Sequence, residues 1–123
     1  MNSTRGLQLL GAAIISAIAG AATGAQDLVK IRMSGRYYAE PATVHMTISV
    51  EPNADNRVLR IEADGENFFR ATDLQLEGSH APKTHTVSFK NVPAGNYMVR
   101  AQVLSRLEEL ARAEAPLVVI SAR

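Results

Sequence analysis

The sequence predicts an all-β chain: two antiparallel sheets of about seven strands in all, packed face to face as a sandwich. Three observations carry this. Short stretches alternate apolar and polar residues with the period of two that marks a half-buried strand. Turn-forming clusters separate them at regular spacing, with no alternation of strands and helices and no internal repeat. And the stretch FKNVPAGNYMVRAQV, residues 89–103, joins a turn to the strand around which the rest is expected to pack. In that stretch Pro93 sets φ for a turn, while Gly95 and Asn96 tolerate the positive φ of a chain reversal. Beyond it Tyr97, Val99, Ala101 and Val103 form one face and Met98, Arg100 and Gln102 the other, as in a central strand.

The elements follow in order. Val29, Ile31 and Met33 alternate with Lys30 and Arg32 in a first strand. Residues 34–41 form a connection, because Pro41 bars a central strand there. Val44, Met46, Ile48 and Val50 face inward opposite His45, Thr47, Ser49 and Glu51, the alternation of a sheet with one solvated face. The turn formers of residues 52–56 suggest a hairpin to the next strand, whose inward set is Leu59, Ile61 and Ala63, and Asp64-Gly65 has the chemistry of a tight reversal. From Phe68 to Leu76 the apolar phase slips, Phe69 and Ala71 being odd and Leu74 and Leu76 even, which a bulge or a strand changing sheets would produce. A loop over residues 78–82 leads to a strand with Val87 and Phe89 inward. Residues 104–113 have helix-forming composition, with Leu107, Leu110 and Ala111 at helical spacing, but strands bracket them. A long hairpin with a helix-prone tip is the favoured reading, and a short helix is its rival.

The chain has 123 residues, the length of a single domain. Arg5 is the only charge before Asp27, residues 7–18 are apolar, and residues 19–25 are small, the three-part form of a secretory signal peptide. Cleavage fits after Ala21 or Ala25, and Ala25 is favoured. That makes residues 1–25 a signal peptide and 26–123 the folded domain. The apolar stretch of residues 7–22 is shorter than the roughly 20 residues that span a bilayer, so no stable membrane insertion is expected after cleavage. No cysteine is present, which removes disulfides, a thiol nucleophile, thiolate metal sites and a lipid-bearing N-terminus together. The expected product is therefore periplasmic or extracellular. Losing Arg5 from the 13 basic residues balances the 12 acidic ones, and the bases are scattered, so nucleic acid is not an expected partner.

The run Val92-Pro93-Ala94-Gly95-Asn96-Tyr97, followed by alternating apolar residues, resembles the penultimate strand of bacterial immunoglobulin-like and fibronectin type III domains. The resemblance spans most of residues 28–121. It implies an immunoglobulin-like sandwich in which Tyr97 is a corner tyrosine, its ring in the core and its hydroxyl bonded to backbone. The family's core Trp is missing, as this chain has none.

No constellation for chemistry stands out. His45, His80 and His85 are not at ligand spacing, and residues 51–56 and 64–67 lack a calcium-loop pattern. No G-x-S-x-G elbow or Gly-rich phosphate loop occurs. No catalytic, metal or cofactor-binding residue is therefore assigned, and the chain is expected to catalyse nothing. The candidate contact residues are the aromatics Tyr37, Tyr38, Phe68 and Phe69, of which one in each adjacent pair must point outward from a strand, Tyr37 or Phe68 by this reading. The expected function is binding of a protein or a cell-surface glycan, or a part in an envelope assembly. The alternative is a carbohydrate or small-ligand accessory module.

Overall fold

The computed structural model describes residues 28–35 and 37–122, so the signal segment expected at residues 1–25 lies outside the described residues. Eight strands form: β1 (Val29–Met33), β2 (Tyr37–Ala39), β3 (Ala42–Val50), β4 (Val58–Gly65), β5 (Phe69–Gln75), β6 (Thr84–Val92), β7 (Gly95–Leu104) and β8 (Glu109–Ile120). They make a three-stranded sheet in the order β1-β3-β6 and a five-stranded sheet in the order β2-β8-β7-β4-β5. Between the sheets the alternating apolar residues meet: Val44, Met46 and Ile48 from one, and Leu59, Ile61, Val99, Ala101 and Leu117 from the other, are essentially sealed from solvent. The all-β sandwich and the central place of β7 agree with the sequence.

Several local expectations need correcting. Tyr37–Ala39 is not a connection but a short edge strand, paired parallel to β8 through Tyr37↔Val118, which brings the count to eight and departs from an all-antiparallel sheet. The turn at residues 52–56 does not close a hairpin. It carries the chain from β3 in the small sheet to β4 in the large one. Pro93-Ala94 does the same between β6 and β7, and the positive φ values fall at Asn91 (59°) and Gly95 (156°). Crossing between layers takes the same turn residues as reversing within one, so composition did not separate the two cases.

The reversal expected at Asp64-Gly65 comes two residues later. Asp64 still pairs with Phe69, and the Gly65 N–H donates to the Phe68 carbonyl at 2.9 Å. Gly65 serves packing instead of the turn: a Cβ there would lie 2.6 Å from the Tyr97 ring, its cross-strand neighbour.

No phase slip occurs in β5. It pairs with β4 through seven successive residues without a bulge. Phe68, Arg70, Thr72, Leu74 and Leu76 face inward, and Phe69, Ala71, Asp73 and Gln75 face out. The inward row contains Arg70 and Thr72, and an apolar-only pattern cannot follow such a row.

Residues 104–113 form the hairpin. The Ser105 N–H donates to the Glu108 carbonyl at 2.8 Å, and the Ser105 hydroxyl accepts from the Leu107 and Glu108 N–H groups. A register shift at Val103/Leu104 then lets β8 continue. Leu107, which helical spacing would have buried, is 94% exposed at the tip.

Candidate functional site

Tyr97 begins β7 where the chain has just crossed from the small sheet. It is 5% exposed, and its hydroxyl donates to the Pro93 carbonyl four residues back at 2.6 Å. This is corner-tyrosine geometry. Phe68 meets its ring edge to face, with centroids 6.0 Å apart. The Glu40 carboxylate accepts the Ala94 N–H at 2.8 Å and so fixes the same crossover from the β2 side. Burial first, and the Glu40 charge second, raise the Tyr97 hydroxyl above the usual tyrosine pKa. Gly95, at its positive φ, lets the backbone pass beneath that hydroxyl, which would lie 3.3 Å from a Cβ.

Among the four candidate contact aromatics, Tyr37 (66% exposed) and Phe69 (57%) face solvent, while Tyr38 and Phe68 turn inward. Phe69, not Phe68, is thus the outward member of its pair. Tyr37 lies on β2 and Phe69 on β5, the opposite edges of the large sheet. Four strand spacings, roughly 19 Å, separate those strands, so the two rings do not form one stacking platform. The Tyr38 hydroxyl is engaged with Ser34 Oγ and the Gly35 N–H, both at 3.0 Å.

The outer face between them carries a charge network. Arg100 reaches Glu62 (3.0 Å), Asp64 (3.0 Å) and Glu114 (3.2 Å), Arg112 reaches Glu109 (2.9 Å), and Arg60 holds Asp73 (2.9 Å). Hydrogen bonding to Arg60 lowers the Asp73 pKa, and bonding to Arg112, then to Gln102, lowers that of Glu109.

The free edge of β5 lies beside this network. The Gly65-to-Phe68 and Leu76-to-Arg57 bonds show that the backbone groups of Phe68 and Leu76 face β4. Alternation along the unbulged strand then turns the N–H and C=O groups of Phe69, Ala71, Asp73 and Gln75 to the open side, where no described residue pairs with them. The edges at β2, β8 and β1 are short or blunted. β2 is three residues long. On β8 the Glu40-to-Ile120 bond sets the same alternation, so Pro116 presents the open side with no N–H just before the point where β2 begins to pair. β1 has five residues and carries Lys30 and Arg32, while the nine-residue β6 edge carries no exposed aromatic and gives its Lys90 carbonyl to Arg70.

The histidines do not converge. His45 sits on the outer face of the small sheet with Nδ1 2.7 Å from Ser88 Oγ, and His80 is exposed in the short 3-10 turn Gly78–His80. His85 points inward, with Nε2 buried and unpartnered. Among the described residues no three His, Cys, Asp or Glu are grouped to hold a metal ion. In the 51–56 loop, Asn53 Oδ1 accepts the Asp55 N–H (2.8 Å) and the buried Asn56 donates to the Glu51 carbonyl (3.1 Å), so these side chains shape the turn.

Sequence patterning missed the hollows at the end of the sandwich away from Tyr97. A cavity of about 220 Å³ opens among Leu28, Val50, Val103, Leu110 and Asn56, and a more open one of about 600 Å³ adjoins it between Arg57 and the 105–108 turn. Their walls come from three separate segments, which no local motif records.

No family model matches the sequence, and no curated protein matches it. Solved structures do share the fold. A superoxide reductase (neelaredoxin) from Ignicoccus hospitalis superposes with a TM-score of 0.56 at 17% identity, covering 74% of this chain and 79% of the other. For a putative superoxide reductase from Thermotoga maritima the values are 0.55, 10%, 74% and 84%. The sulfur carrier protein SoxY from Chlorobium limicola gives 0.50, 16%, 89% and 97%.

At these identities the likeness is one of fold. It overturns the expectation that the chain catalyses nothing, because this sandwich is one on which an enzyme family, the superoxide reductases, is built. The missing nucleophile and acid–base motifs argued only against hydrolase-type chemistry. The described histidines do not supply a ligand set for a metal.

Proposed function

We propose that this chain, in exported form, binds a protein partner by pairing an extended segment of that partner with the free edge of β5, Phe69 serving as the apolar anchor. The observation that carries the proposal is the pairing of seven residues of β5 with β4 on one side and with no described residue on the other, beside an aromatic ring that is 57% exposed. Main-chain bonds to such an edge supply affinity and side-chain contacts supply selectivity.

The test uses a displayed library of random linear peptides, selected on the folded protein. Ala71→Pro is the decisive variant, because the Ala71 N–H faces the open side and its loss leaves the β4 ladder whole. Selected peptides should lose binding to Ala71→Pro and bind Phe69→Ser about tenfold or more weakly, with folding checked by thermal melt. A library that yields no binder, or binders indifferent to Ala71→Pro, refutes edge pairing.

A second reading, a small-ligand module, draws support from the end cavity of about 220 Å³. That volume is below the roughly 300–1,000 Å³ common for ligand pockets. A panel of sugars and small amphiphiles that raises the melting temperature of the wild type, but not of Ala111→Phe, would favour it.

A further inference from the structure

We infer that the segment β5 accepts carries an acidic residue, held opposite Arg70 on the inward row of the added strand. The inference rests on the edge-pairing reading above and names the chemistry of its partner.

Of the arginines within the strands of the large sheet, Arg60, Arg100 and Arg112 each hold at least one carboxylate. Arg70 holds none among the described residues. It is half-buried on the inward row with Thr72 and Leu74. Its guanidinium lies 5.0 Å from the centre of the Phe68 ring and 6.0 Å from that of Phe89, and it donates Nη1 to the Lys90 carbonyl, spanning the gap between β5 and β6. A guanidinium has five N–H donors, and one bond to a carbonyl leaves most of them at the rim of the sandwich, where water now meets them.

An added strand would displace that water. The backbone groups of Arg70 face β4, so a residue directly opposite it on an antiparallel newcomer stands in a non-hydrogen-bonded pair. In such pairs the Cα atoms are about 4.5 Å apart and the side chains closest. Asp or Glu there meets the guanidinium with two oxygens, in surroundings dried by Phe68, Phe89 and the new strand. An apolar residue leaves the cation covered and unpaired, and Lys or Arg adds repulsion. Two and four positions along the same row the newcomer faces Thr72 and Leu74. Read from its N-terminus, the segment therefore has an apolar residue opposite Leu74 and an acidic residue four positions later.

Binders from the random-peptide selection should show this apolar-x-x-x-acidic spacing. Replacing their acidic residue by Ala should weaken binding to wild type about tenfold or more, and the loss should shrink at high salt. Selection on Arg70→Glu should return Lys or Arg at that position. Arg70→Gln, which keeps a donor for the Lys90 carbonyl and serves if Arg70→Glu does not fold, should bind acidic and neutral peptides equally. Binders that require the free Ala71 N–H but show no acidic preference, or an acidic preference that survives Arg70→Gln, overturn the inference and leave edge pairing standing. The absence of any binder sensitive to Ala71→Pro overturns both.

Discussion

Removing one oxygen atom, by Tyr97→Phe, tests the corner at the start of β7. The hydroxyl lies 2.6 Å from the Pro93 carbonyl on a side chain that is 5% exposed. The substitution keeps the ring, its contact with Phe68 and its packing over Gly65, so only the hydrogen bond is lost. A neutral bond whose partner is left unsatisfied costs about 1–3 kcal/mol, and Pro93 is exposed enough for water to replace part of it. About 1.5 kcal/mol is therefore expected. For a domain of this size each kcal/mol lowers the melting temperature by roughly 4–8 °C, so the midpoint should fall by about 6–12 °C. Urea unfolding should show a lower midpoint with an unchanged slope. Tyr97→Ala, which also removes the ring, should cost about 3–5 kcal/mol and marks the scale of the core contribution. A Tyr97→Phe change below about 0.5 kcal/mol, the scale of an uninvolved surface site, would show that the corner bond does not stabilise the crossover.

Other predictions concern the same frame. Gly65→Ala should destabilise by about 1–3 kcal/mol, because its Cβ meets a Tyr97 ring that its own hydroxyl bond holds in place, and the loss should be smaller in a Tyr97→Leu background. Tyr97 binds its proton more tightly folded than unfolded, so its contribution is whole below about pH 10 and is lost as pH rises through the higher folded value. Melts across the alkaline range should therefore decline less steeply for Tyr97→Phe. Asp73 and Glu109 are shifted the other way, so their contribution is present above about pH 4 and fades as pH falls through their lower folded values. Both are well exposed, and Asp73→Asn should change stability by only a few tenths of a kcal/mol at neutral pH. For the export reading, mass spectrometry of the native protein should find an N-terminus near Gln26 or Ala22, and an intact Met1 on a membrane-bound chain would refute it.

What the sequence made legible was periodic. Val44-Met46-Ile48-Val50 and Tyr97-Val99-Ala101-Val103 are buried as their alternation requires, because a strand between a core and solvent has no other way to arrange a period of two. What escaped was non-local. Residues 52–56 and 93–94 hold turn formers, and whether the next strand joins the same sheet or the opposite one depends on which backbone edges are already taken. β7 and β8 claim the interior of the large sheet, so β4 must cross to join them. The helix-like composition of residues 104–113 lost to the same constraint, since a turn of helix there would leave the end of β7 and the start of β8 without the partners they now give each other.

β5 shows most clearly why the candidate site was only half legible. A two-letter reading of apolar and polar residues finds Phe69, Ala71, Leu74 and Leu76 out of phase and reports a defect. The strand is instead regular, with an arginine in its inward row and an aromatic in its outward one. Both placements run against burial preference. A cation turned inward is stable because it sits at the rim, over Phe68 and Phe89 and bonded to Lys90, and an exposed Phe69 makes no described contact that would explain it as core. Phe69 gains nothing for the isolated fold from its place, and Arg70 keeps donors beyond the one it gives to Lys90. Their joint position at an unblunted edge gives both a use once another strand lies alongside: the ring as a surface for an apolar neighbour, the guanidinium as the partner of a carboxylate.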